Sequence, residues 1–94
     1  MLYDIKQIRV NKRDYLITIL KLGEYYTAYV YLDGSRKYEE EFLNYPTYRN
    51  GDVVGIDTNH SFNMEMSIQE KYKDAIRQIK NMIKAYQKIK EQTK

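Results

Sequence analysis

His60, the only histidine in the chain, stands three residues after Asp57 in the stretch Gly55-Ile56-Asp57-Thr58-Asn59-His60. A carboxylate at the end of a strand and an imidazole in the loop beyond it sit where reacting groups are usually displayed. Asp57 could hold the tautomer of His60 for acid–base catalysis. Alternatively both could join a metal, with Asn63 or Glu65 as further oxygen ligands. The same residues also fit a structural part, with Asp57 capping the turn through backbone N–H groups while His60 packs or is solvated. The chain has no cysteine, which removes thiolate zinc sites, cysteine nucleophiles and disulfides together. It has no Gly-rich phosphate loop, no His-Glu-x-x-His helix and no nucleophile elbow, so no cofactor is expected.

Two further groups of residues could recognise a partner. Lys73, Arg77, Lys80, Lys84 and Lys88 recur at intervals of four, three, four and four residues. On a helix that spacing gathers them on one face, able to follow a phosphate backbone, dock on an acidic protein groove or simply keep the helix soluble. Asp74 and Glu70 lie beside this row and dilute it. The second group is Tyr25, Tyr29 and Tyr31, with Tyr45 and Tyr48 as possible neighbours. Tyrosine offers a large rigid contact area with a hydrogen-bonding tip and is enriched where proteins bind proteins. Rows of tyrosine also stabilise exposed sheets through cross-strand pairs. Bases could stack on these rings, but the strands that carry them are not basic overall, so protein binding is preferred.

These residues must be placed by the elements around them. Ile5–Val10, the polar tetrapeptide Asn11-Lys12-Arg13-Asp14 and Tyr15–Leu22 read as strand, tight turn, strand. The second strand has Tyr15, Ile17 and Ile19 on one side and Leu16, Leu20 and Leu22 on the other, which predicts a central position in the sheet. After Gly23-Glu24, residues 25–32 alternate. Tyr26, Ala28, Val30 and Leu32 are expected in the core, and Tyr25, Thr27, Tyr29 and Tyr31 on the opposite face. Asp33-Gly34-Ser35 ends that strand. Residues 36–50 are harder to assign, and Pro46 confines any strand there to an edge. Asn50-Gly51-Asp52 is a turn before a short apolar strand over 53–57. Ser67 and Glu70 form a capping box, followed by Ile68, Tyr72, Ala75, Ile76, Ile79, Met82, Ile83, Tyr86 and Ile89 at helical spacing. The sequence therefore predicts an α+β domain, an antiparallel sheet of four or five strands (about residues 3–57) packed on one amphipathic C-terminal helix (about 67–92).

Ninety-four residues suffice for a single domain over residues 1–94, and for no large enclosed cleft. The net charge of +3 conceals an asymmetry. Residues 1–66 hold eight Lys/Arg and ten Asp/Glu, and residues 67–94 hold eight and three, so the basic character belongs to the helix. Eleven tyrosines against two phenylalanines and no tryptophan is the most unusual feature of the composition. No apolar run is long enough for a membrane span or signal peptide, which predicts a cytoplasmic protein with no membrane partner.

The residues already quoted resemble a family of small, largely uncharacterised proteins of bacteriophages and prophages. The family pattern runs G-Y-x-x-Y-V, then H-G-G-x-T-Y, then G-F-D-x-x-H-x-x-D, then a C-terminal helix. Gly23-Glu24-Tyr25-Tyr26-Thr27-Ala28-Tyr29-Val30 is similar to the first element, Thr47-Tyr48 stands where T-Y would, and Gly55-Ile56-Asp57-Thr58-Asn59-His60 matches the third. Leu43-Asn44-Tyr45 replaces H-G-G, and Asn63 replaces the final aspartate, so two polar members of any cluster at those positions are missing. The resemblance implies a phage-type accessory protein, many of which bind and block a host enzyme or defence component.

Three classes of function follow as expectations. The first is a non-enzymatic binding protein that inhibits or redirects a bacterial target, such as a nucleic-acid-handling or defence complex of the anti-CRISPR kind. The second is a nucleic-acid or nucleotide binder using the basic helix face. The third is a small metal-dependent hydrolase using Asp57 and His60. A homodimer through the tyrosine face or the long helix is also open.

Overall fold

The computed structural model describes residues 2–38, 48–57 and 67–92. Five strands, β1 (Leu2–Val10), β2 (Arg13–Leu22), β3 (Tyr25–Tyr31), β4 (Tyr48–Asn50) and β5 (Val53–Asp57), form one antiparallel sheet in the order β1-β2-β3-β5-β4. A 3-10 turn over Ser35–Tyr38 follows β3, and the helix α1 (Ile68–Gln92) closes the described chain. The α+β architecture read from the sequence is the observed one, with five strands.

The first hairpin turns more tightly than the tetrapeptide Asn11–Asp14 suggests. Val10 pairs with Arg13 and Arg9 with Asp14, so the turn is Asn11-Lys12 alone, and both residues have positive φ (50° and 68°). That is the type I′ geometry whose twist matches the flanking strands, and asparagine enters it readily. Lysine does not, and an L side chain in the left-handed region is strained. Lys12→Gly is therefore expected to stabilise the fold by about 0.5–1 kcal/mol, measured as a rise in the urea midpoint at unchanged slope.

A bulge shapes the other end of β1. Leu2 pairs with Leu20 but Asp4 with Ile19, so β1 carries one extra residue at Tyr3. Without it Tyr3 would follow Ile5 onto the face away from the helix. With it Tyr3 turns to the helix side, where its ring meets Tyr26 at 5.0 Å and Tyr72 at 5.4 Å.

The helix begins where the capping signal places it, Ser67 Oγ accepting from the Glu70 backbone N–H at 3.1 Å. Its 25 residues extend about 37 Å. Ala75, Ile79, Met82, Ile83 and Tyr86 are buried against Ile8, Val10, Ile17, Ile19, Tyr26, Ala28, Val30, Val54 and Ile56 of the sheet. Ile68, read as the start of that stripe, is 42% exposed, because it lies at the first turn of the helix. The Tyr86 hydroxyl donates to the Asp33 carbonyl at 2.6 Å and fixes the helix to the end of β3. Asp52 ties the β4–β5 turn to the same corner, its carboxylate accepting the Arg36 N–H at 2.9 Å. That bond, with a second backbone N–H from Gly34, holds the Asp52 carboxyl below the usual carboxylate range.

Candidate functional site

Sheet parity decides where the tyrosines go. Directly opposed residues share a face, and Thr18 opposes Tyr29, Leu22 opposes Tyr25, Val53 opposes Tyr31, and Gly55 opposes both Tyr29 and Tyr48. None of these belongs to the set packed under α1, so Tyr25, Tyr29, Tyr31 and Tyr48 all occupy the sheet face away from the helix. Leu2, Ile5 and Leu16 join them through their pairings with Leu20, Thr18 and Gln7. Leu16 is 63% exposed, Tyr31 60%, Leu2 57%, Ile5 53% and Tyr48 43%. β2 is thus internal to the sheet as its two-sided apolar pattern predicts, yet among the described residues no element covers its second face. Five strands at about 4.8 Å make this face about 19 Å wide.

Within the row, Tyr25 and Tyr29 are half-buried while Tyr31 stands out, its hydroxyl donating to Asp33 at 3.2 Å. That hydrogen bond raises the Tyr31 phenol above its ordinary range. Tyr29 is set by a glycine. A Cβ at Gly55 would lie 2.5 Å and 2.8 Å from the Tyr29 ring carbons and 2.9 Å from the Ala28 carbonyl oxygen. The ring therefore lies across the bare backbone of Gly55 and meets Tyr48 edge to face at 5.0 Å. Gly55, read from the sequence as part of a short strand and as the first residue of a possible catalytic hexapeptide, serves as the seat of Tyr29.

Asp57 ends β5 on this same face, opposite Thr27. His60, Asn63 and Glu65 lie outside the described residues, as does Tyr45, so the Asp57–His60 pairing has no geometry to assess. Among the described residues no group of three His, Asp or Glu side chains could hold a metal ion.

The basic row points the other way. Lys73, Arg77, Lys84 and Lys88 are exposed and Lys80 half-buried along the side of α1 opposite its apolar stripe. Arg77 is already engaged, its guanidinium paired with Asp74, which is 5% exposed and also accepts from Gln78 Nε2 at 2.6 Å. Asp74 is therefore a buried partner of the row rather than a surface acid that dilutes it. The tyrosine and lysine rows lie on opposite sides of a two-layer molecule, so one flat partner surface cannot engage both.

No family model matches the chain, and no curated protein or solved structure matches it either. Among the described residues no helix is long and apolar enough to cross a membrane.

A second tyrosine group was not foreseen, because its members come from three elements. Tyr3, Tyr26 and Tyr72 meet pairwise at 5.0–5.5 Å and, with Lys21, Ile68, Gln69 and Lys73, line a cleft of about 450 Å³ between β1 and the start of α1. The Tyr72 hydroxyl donates to Asp4 at 2.8 Å. Burial, and then that carboxylate, push the Tyr72 phenol up to about 12. The unfolded value is about 10, so the stability tied to the protonated form is fully present below pH 10 and lost as pH rises toward 12. Ultraviolet titration of tyrosinate is expected to show this group ionising late. Asp4→Asn should bring its titration down while leaving it above 10, because burial is the larger cause.

Proposed function

We propose that this chain is a phage-type accessory binding protein that inhibits or redirects a bacterial target protein by stoichiometric binding through the uncovered sheet face. The observation that supports it is the concentration of Leu2, Ile5, Leu16, Tyr31 and Tyr48, all more than two-fifths exposed, on one face with half-buried tyrosines between them. Such a surface has an apolar centre and aromatic anchors, the composition of an interface core. The bacterial and phage setting rests on the resemblance of residues 23–90 to the phage family. The basic helix face, engaged in part through Arg77 and Asp74, is the weaker surface for recognition.

The test is an affinity pull-down from nuclease-treated bacterial lysate with the tagged protein, followed by size-exclusion of any complex. One near-stoichiometric protein is expected with the wild type. Capture should fall at least about tenfold with Leu16→Glu, which sets a charge among apolar contacts, and with Tyr31→Ala, since aromatic anchors of an interface carry about 2 kcal/mol or more. Lys84→Glu with Lys88→Glu should leave it unchanged. Capture that survives both sheet-face variants overturns the reading.

A further inference from the structure

We infer that the edge of β1, which no described strand pairs with, is a strand-addition site for an extended acidic segment of the target; this rests on the protein-binding reading above and names the partner chemistry. β1 is a nine-residue edge strand, and the register shows which of its backbone groups are open. Val10 and Arg13 flank a two-residue turn and so form a mutually hydrogen-bonded pair. Alternation along an antiparallel ladder then turns the N–H and C=O of Lys6, Ile8 and Val10 toward β2 and those of Ile5, Gln7 and Arg9 toward the open edge. Exposed edges of this kind are templates for a further strand unless they are blocked.

The two sides of the edge specify what such a strand carries. On the face away from the helix β1 carries Ile5, with Gln7 and Arg9 beyond it, so an apolar side chain added there meets Ile5, while Leu16 stands one strand further in, opposite Gln7. On the other side runs the helix, held beside β1 at both ends. Tyr72 bonds Asp4 at one end, and at the other Gln87 Nε2 donates to the Val10 carbonyl at 3.0 Å while Gln87 Oε1 accepts from the Asn11 amide at 2.8 Å. Lys73 and Lys80 precede Gln87 by fourteen and seven residues, close to whole turns, so they share the flank that faces β1. Lys6 is exposed between them on the strand, and Lys73 with Lys21 lines the tyrosine cleft. At the far end Arg13 and Lys90 line a second cleft of about 460 Å³, where Glu91 is the one acid among the described lining residues. A second copy of this chain would bring the same positive charge to this flank. An added strand that alternates acidic and apolar residues satisfies both sides at once, with side chains about 6.6 Å apart on each face.

The experiment uses the full-length protein and two short capped peptides, one alternating glutamate with valine and the other lysine with valine, followed by amide hydrogen exchange. With the glutamate peptide, exchange at Ile5, Gln7 and Arg9 is expected to slow by about tenfold or more, while Lys6, Ile8 and Val10, already bonded to β2, do not change. The lysine peptide should protect nothing. Gln7→Pro removes an outward N–H without touching the β2 ladder and should abolish the protection. Lys6→Glu with Lys80→Glu should weaken it at least about tenfold and keeps the test valid if the proline variant does not fold. Equal protection by both peptides, protection confined to the helix, or protection that grows with protein concentration alone, as a second copy on the edge would give, each overturns the inference. Pull-down separates this from the sheet-face reading. Capture retained by Gln7→Pro but lost in Leu16→Glu removes strand addition only, and the reverse pattern removes the sheet face only.

Discussion

Gly55→Ala is expected to lower stability by about 2 kcal/mol, a fall of roughly 8–16 °C in melting temperature for a domain of this size. The added Cβ would overlap two ring carbons of Tyr29 and approach the Ala28 carbonyl oxygen inside contact distance, and Gly55 is buried in the middle of the β3–β5–β4 pairing. The strand cannot retreat without breaking its ladder on both sides, so the ring must leave, and its edge-to-face contact with Tyr48 goes with it. The diagnostic is a double-mutant cycle. Gly55→Ala placed in a Tyr29→Ala background should add little further loss, because the clashing ring is gone. Additive losses would mean that the clash with backbone dominates. The same substitution should weaken target capture, since it moves two of the tyrosines on the proposed binding face.

The second large effect contrasts two adjacent residues. Ile17→Ala is expected to cost about 3–4 kcal/mol, a large share of the roughly 5–10 kcal/mol available to a domain of this length. Ile17 is fully buried beneath α1, among Val30, Ile19 and the helix residues. Leu16→Ala, one residue away, should change stability by no more than about 0.5 kcal/mol, because Leu16 projects from the other face and is 63% exposed. Urea unfolding with a common slope measures both. If Leu16→Ala loses as much as Ile17→Ala, the sheet face is covered in solution, and a dependence of the midpoint on protein concentration would identify a second copy as the cover.

Several parts of this protein were legible in the residues alone. Period-two alternation in 25–31, the turn formers at 23–24 and 50–52, and the three-and-four spacing after Ser67 marked β3, its turns, the start of β5 and the helix, while β4 lies in the stretch 36–50 that no such signal assigned. Each of these signals lies within one element and its own turns. The grouping of Tyr25, Tyr29 and Tyr31, and of the five cations on α1, followed from the same periodicities. The tight Asn11-Lys12 turn was legible only as a region, since which two of four polar residues take positive φ is decided by strand pairing.

What the sequence could not settle is how those groups stand to one another. That Tyr48 joins the row, that Tyr3 leaves it through a bulge to meet Tyr26 and Tyr72, that Gly55 is the seat of a ring, and that Asp74 is buried against Arg77 all depend on pairings between distant segments. The sequence by itself determined every strand but β4, the helix, their amphipathic faces and the residues that could recognise a partner. Only the tertiary structure decided that, of the two apolar faces of β2, the one with Ile17 and Ile19 lies under the helix while no described element covers the one with Leu16. The physical reason is that a strand with two apolar faces can bury either, and which one is buried depends on where a helix tens of residues away comes to rest.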